Sequence, residues 1–287
     1  MTAIGLIAAL VASAAWGTAD YTGGLASRRL TTAVAVARSQ GLAAAMAGGL
    51  VLLTHEVLPA PASVAWSLVA GLAACVAILS FFQAMAVGEM SLVAPLVAVV
   101  GASIPVAVAI VGGEHLEPIQ LGGAACGLVA VTLVARSVEG ATGPQQRATA
   151  EVLPLVAVAG AAVAAVYLAV TRATMTGAGV IWWPVLVTHV VTTVTATVAV
   201  AARRPAGVPG LSVAWATVAA CGMADVVGFG AFLFAVGHGP TSLAVVLSSL
   251  APVTTVVLAL VVLRERLSRS QAVAIALGLL GVVLIAA

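Results

Sequence analysis

Residues 232–286 read FLFAVGHGPTSLAVVLSSLAPVTTVVLALVVLRERLSRSQAVAIALGLLGVVLIA, and residues 81–135 read FFQAMAVGEMSLVAPLVAVVGASIPVAVAIVGGEHLEPIQLGGAACGLVAVTLVA. An offset of 151 positions (232 − 81) brings the two into register. Phe81 then meets Phe232, Gly88 meets Gly239, and Ser91-Leu92 meets Ser242-Leu243. Further along, Glu114 meets Glu265, Leu116 meets Leu267, Gln120 meets Gln271 and Gly127 meets Gly278. A spacing shared across apolar helices, a short polar break and a further apolar helix marks a duplication, and internal repeats decide a fold before any single motif does. The repeat spans half the chain, which predicts a duplicated membrane module rather than a solenoid.

Composition agrees. Of 287 residues, 63% are hydrophobic and only 7% are Asp, Glu, Lys or Arg, with a mean hydropathy of +1.23. So few charges cannot cover the surface of a water-soluble domain, whereas a polytopic membrane protein needs few. All 11 basic residues are arginines, a composition expected of a GC-rich bacterial genome and hence of a bacterial plasma membrane. Cys75, Cys126 and Cys221 lie in apolar runs without metal-ligand spacing and read as small buried hydrophobes. Ala12-Ser13-Ala14 has the look of a cleavage site, but no positive region precedes it, so the first segment reads as a retained helix.

About 20 apolar residues at 1.5 Å each cross roughly 30 Å of hydrocarbon. On that ruler the apolar segments are about 3–22, 32–54, 62–87, 91–112, 117–135, 152–171, 178–201, 211–236, 241–263 and 269–287. The expected fold is therefore an all-α integral membrane protein of ten transmembrane helices, built as two five-helix repeats over 1–135 and 152–287. The linker, 136–151, carries Gly140, Gly143, Pro144 and paired glutamines. An odd number of crossings per repeat inverts the second copy. Arginines follow suit: Arg28, Arg29, Arg136, Arg147, Arg203, Arg204, Arg264, Arg266 and Arg269 fall after odd-numbered helices, and only Arg172 after an even one. Under the positive-inside rule both termini face outward.

Ionisable groups inside helices are costly and face a cavity or a partner. Asp20, Arg38, His189 and Asp225 qualify. The offset pairs Arg38 with His189 and Trp16 with Tyr167 (38 + 151 = 189; 16 + 151 = 167). Arg38 has two readings, a residue snorkelling to the nearby interface with Asp20 as a structural counter-ion, or a cavity group that binds or gates. Asp225 and His189, near the middle of adjacent helices, are candidates for a buried pair or a proton-responsive site. Pro95, Gly101 and Pro105 are expected to interrupt the fourth helix and Pro252 the ninth, and breaks at matched places point toward a substrate path. No phosphate loop, HExxH pair, GxSxG elbow or cysteine metal cluster is present in the sequence; no cofactor and no metal are expected.

The Gly-x-x-Ser-Leu starts at 88–92 and 239–243, the Pro-bearing helix, the acids Glu114 and Glu265, and the Gln–Gly helix that follows resemble the EamA-type repeat. Trp16-Gly17 and Arg38 match that pattern too, and the whole chain is similar to a ten-helix member of the drug/metabolite transporter superfamily. The resemblance implies a secondary carrier with alternating access, with helices 1, 3, 4, 6, 8 and 9 around a central cavity. It implies export of small metabolites such as amino acids or drug-like compounds, with protons a candidate coupling ion. The middle of the first helix, Ala8 to Ala15, lacks the carboxylate that small multidrug members carry there, so coupling would fall to Asp20, Asp225 or His189. The substrate cavity is expected to be lined by Trp16, Tyr167, Arg38 and Asp20. Partners are a small-molecule substrate, the lipid bilayer and protons, without nucleic acid, in a monomer or weak homodimer. An intramembrane enzyme or a non-transporting scaffold are the alternatives.

Overall fold

The computed structural model describes residues 2–111, 117–138, 144–176, 180–203, 210, 212–238, 244 and 247–286, with some side chains of the fourth, fifth, sixth and eighth helices and the chain end outside the description. Ten helices are described: α1 (Ala3–Arg29), α2 (Thr32–Thr54), α3 (Pro61–Val87), α4 (Met90–Val111), α5 (Pro118–Val138), α6 (Pro144–Thr176), α7 (Trp182–Arg203), α8 (Trp215–Gly237), α9 (Ala251–Val261) and α10 (Arg269–Ala286). Six include spans long and apolar enough to cross a membrane, and α4, α5, α9 and α10 contribute shorter apolar runs.

Several helices start where their backbone N–H groups find a partner or need none. Thr2 Oγ1 accepts from Gly5 N–H at the start of α1, and Pro61 opens α3, where its missing N–H costs nothing. At α10, Gln271 N–H donates to Ser268 Oγ while Ser268 N–H donates to Gln271 Oε1, a capping box. Glu117 N–H donates to Gln120 Oε1 in the same way, so the repeated glutamine has a local structural role. Two further caps come from far away. The Glu56 carboxylate accepts from Ile181, Trp182 and Trp183 N–H at the start of α7. The Glu265 carboxylate accepts from Met90 and Ser91 N–H and from the Ser91 hydroxyl at the start of α4.

Helix pairing is extensive. α1 lies along α8, α3 along α6, α2 along α7 and α5 along α10, with α1·α9, α4·α6, α2·α8, α3·α7 and α4·α9 also in contact. Named contacts give the directions. Ala9 clusters with Ala235 while Ala26 clusters with Val218, so α1 and α8 run antiparallel. Gly123 lies against Ile285 and Gly127 against Gly281, making α5 and α10 antiparallel. Ser248 reaches Ala9 and Thr255 reaches Gly17, so α9 runs parallel to α1. The largest core is at the α3–α4 corner, where Met85, Met90, Leu92 and Leu96 pack with Val152, Val156, Val256 and Ile275. Outward faces carry apolar groups instead: Leu52, Leu53, Leu128, Val198 and Val261 are exposed, the pattern of a lipid-facing surface.

Three expectations are corrected. α4 runs unbroken from Met90 to Val111 through Pro95, Gly101 and Pro105, so none of them interrupts it. Pro95 falls in the second turn, and helices in lipid accommodate such prolines by repacking around the freed carbonyl. Pro252 does sit at a break, because a turn at Ser249–Leu250 precedes it and it lies in the first turn of α9. The described helices also run into the linker, with α5 reaching Val138 and α6 starting at Pro144. There Gln145, Gln146, Arg147 and Glu151 are good helix formers that an apolarity ruler passes over. Finally, α1 extends to Arg29, seven residues beyond the apolar segment.

Candidate functional site

Seven polar or aromatic groups from four helices meet: Trp16 and Asp20 of α1, Gln40 of α2, His189 of α7, and Asp225, Phe229 and Phe232 of α8. On α1, Trp16 and Asp20 stand one turn apart on the same face. On α8, Asp225 and Phe229 do the same, and because the two helices are antiparallel their polar and aromatic levels align. Trp16 meets Phe229 edge-on with ring centroids 5.4 Å apart and Phe232 at 5.6 Å. Asp20 lies within electrostatic reach of Asp225. Close approach of backbones permits this: a Cβ on Gly228 would sit 2.6 Å from Trp16 Cδ1, and one on Gly222 would sit 2.5 Å from the Ser39 carbonyl oxygen of α2.

The predicted pair, His189 and Asp225, is brought together through an intermediary. His189 Nδ1 is 4.0 Å from Asp225 Oδ2. Between them lies Gln40 of α2, which donates from Nε2 to Asp225 Oδ2 at 3.2 Å and is 2.7 Å from His189 Nδ1 through Oε1. Gln40 and His189 are buried, at 2% and 3% exposure, so neither amide nor imidazole is a bystander in solvent. With Asp225 ionised, its oxygens only accept; the amide nitrogen must face them, the amide oxygen must face the ring, and Nδ1 therefore carries hydrogen. His189 Nε2 is buried with no hydrogen-bond partner among the described residues, and the ring stands edge-to-face with Phe229 at 5.9 Å.

Trp16, Asp20, Asp225 and His189 thus share one site. Arg38 goes elsewhere: its guanidinium donates to the Gly210 carbonyl oxygen in the α7–α8 connection. The side chains of Tyr167 and Pro105 lie outside the described residues. Sequence reading missed Gln40 and Phe229. An amide buried in an otherwise apolar helix was the available sign for Gln40, since a buried amide needs partners. Among the described residues no group of three or more His, Cys, Asp or Glu could hold a metal.

Gly228→Ala is expected to displace the Trp16 indole, since its Cβ overlaps Cδ1 and Nε1, while the fold persists. A changed Trp16 emission, read by difference against a Trp16→Phe background, checks this. Identical difference spectra would show that the indole does not rest on Gly228.

The helices and their lipid-facing surface define an all-α, multi-pass membrane protein. The model of the EamA-like transporter family matches residues 152–287; this half of the chain is an EamA-like transporter repeat, and the protein is a member of the drug/metabolite transporter superfamily. Solved structures match as well. One, titled "Crystal structure of protein", is 20% identical, with a TM-score of 0.59 over 98% of this chain and 95% of its own. That likeness shows the shared fold. No curated protein matches.

Proposed function

We propose that this membrane transporter is a proton-coupled secondary carrier that exports a small metabolite, such as an amino acid or a drug-like compound, across a bacterial plasma membrane. The observation that carries the reading is the His189–Gln40–Asp225 chain, buried at the junction of α2, α7 and α8 beside Trp16 and Asp20. A buried polar chain of this kind serves packing poorly and has two stable directions. With Asp225 ionised, the amide nitrogen faces the carboxylate and His189 donates through Nδ1. A proton placed on Asp225 turns its oxygen into a donor, which favours the flipped amide and His189 accepting at Nδ1. Proton occupancy at Asp225 would thereby set the hydrogen on His189, on a neighbouring helix.

We further infer that the halves, 1–135 and 152–287 with the linker between, are inverted copies moving against each other. Exchanging each helix number n for n + 5 maps α1·α8 onto α3·α6, α1·α9 onto α4·α6 and α2·α8 onto α3·α7. It leaves α2·α7, α5·α10 and α4·α9 unchanged. In this reading Trp16, Asp20, Tyr167 and Arg38 line or gate the path, with the turn before Pro252 as a flexible point in its wall. Both termini face outward and the carrier works as a monomer or weak homodimer.

The test is transport in proteoliposomes under an imposed pH gradient. Asp225→Asn is expected to lose gradient-driven transport about tenfold or more, since losing the titratable group removes the coupled proton. Full gradient-driven transport by that variant would refute the coupling role.

A further inference from the structure

We propose that this site takes an arylalkylammonium ion, an amine cation held about one helical turn from an aromatic ring and carrying no carboxylate of its own. The inference rests on the carrier reading for the site's being where substrate binds, and it adds the chemical class. The site has two levels. At one level are the carboxylates of Asp20 and Asp225; at the other are the rings of Trp16, Phe229 and Phe232. Asp20 and Trp16, like Asp225 and Phe229, are four residues apart, which is about 6 Å along a helix. A two-carbon linker between ring and ammonium spans that rise.

Charge selects the cation. Asp20 has no hydrogen bond or ion pair among the described residues, and the charged group acting on it, Asp225, repels it. The chain has no lysine. Arg28 is turned to Glu265 and the Met85 and Gly88 carbonyl oxygens, and Arg38 to the Gly210 carbonyl oxygen. A ligand bringing positive charge would relieve both carboxylates at a depth where charge is costly. Aromatic faces add cation–π attraction, strongest for tryptophan.

Hydrogen bonding tells against the zwitterion. His189 Nε2, buried and with no partner among the described residues, offers a lone pair when Nδ1 donates to Gln40. The carboxylates are acceptors as well. An ammonium supplies N–H donors to such a set. An amino acid would bring a carboxylate, and the Gln40 amide that could have met it is spent on Asp225 and His189. The set favours an amine over the amino acid that shares its ring.

The experiment is calorimetric titration of the full chain in nanodiscs with phenethylammonium, phenylalanine and 3-phenylpropanoate, which share a ring and differ in charge. Phenethylammonium is expected to bind about tenfold or more tightly than either of the others, the order of a buried charge contact. Asp20→Asn should weaken it about tenfold, and Phe229→Leu about threefold through lost cation–π attraction. Asp20→Glu, which keeps the charge, should retain most of the affinity, so a misfolded Asp20→Asn does not decide the matter. Phenylalanine binding as tightly as the amine would overturn the proposal, as would unchanged amine affinity in both folded Asp20→Asn and Phe229→Leu. The two readings separate cleanly. Amine binding without transport under any gradient would sink the carrier and leave this site chemistry standing, whereas transport of some other solute without amine binding would do the reverse.

Discussion

Glu265→Ala will lower the stability of the purified protein by about 2–4 kcal/mol, because one deletion orphans several buried donors at once. Its carboxylate, 11% exposed, accepts from Met90 N–H and Ser91 N–H at 3.0 Å each and from Ser91 Oγ at 2.7 Å, with Arg28 Nη2 3.5 Å away. Met90 and Ser91 begin α4, so the carboxylate also meets the positive end of the helix dipole. Alanine leaves those donors facing the core cluster around Met85 and Leu92 without water to take over. Glu265→Gln should cost less, since its amide oxygen still accepts. Arg28→Met should cost less again, because Arg28 is 29% exposed and an ion pair in that setting is screened. Thermal unfolding of the three variants in one detergent checks the order. An alanine variant that melts with the parent would show that the carboxylate does not hold α4.

Gly17→Val is the second large effect, and it strikes packing. A Cβ at Gly17 would fall inside van der Waals contact of the Ala251 carbonyl oxygen and 2.5 Å from Thr254 Cβ. One obstacle is backbone, so no rotamer change clears it. α1 and α9 must separate, which also breaks the Thr255 hydroxyl's bond to the Gly17 carbonyl oxygen at 3.0 Å. Overpacking costs about 1–3 kcal/mol and more where backbones collide; the expectation is the top of that range, seen as poor accumulation and a lower melting temperature. Normal accumulation with an unchanged melt would contradict the close α1–α9 approach.

Much of the fold was legible because the bilayer demands long apolar helices, and hydropathy counts those directly. What it read badly were stretches where polarity and helicity part company. Gly23 to Arg29 continue α1 although Ser27, Arg28 and Arg29 lower the hydropathy, because Ser27, like Thr22 before it, returns its hydroxyl to a backbone carbonyl a turn earlier. Pro95 read as a break and is not one. At the site, ionisable groups stood out by cost, and Trp16, Asp20, His189 and Asp225 do converge. Gln40 escaped because an uncharged amide carries little weight on a hydropathy scale, though once buried it needs partners as much as a charge does. The Glu56 and Glu265 caps escaped for another reason: each joins residues whose proximity only the folded helix packing creates.

Those two caps also differ in when they become possible during synthesis. Glu56 precedes the Trp182 amide by 126 positions, so its carboxylate is already made when α7 emerges. Met90 precedes Glu265 by 175 positions, so α4 leaves the ribosome with a bare N-terminus that nothing nearby in sequence completes. The first half therefore cannot reach its final hydrogen bonding until almost the whole chain has been inserted. A chain ending before residue 265 should be retained as an incompletely assembled membrane intermediate, even though most of its helices are in place.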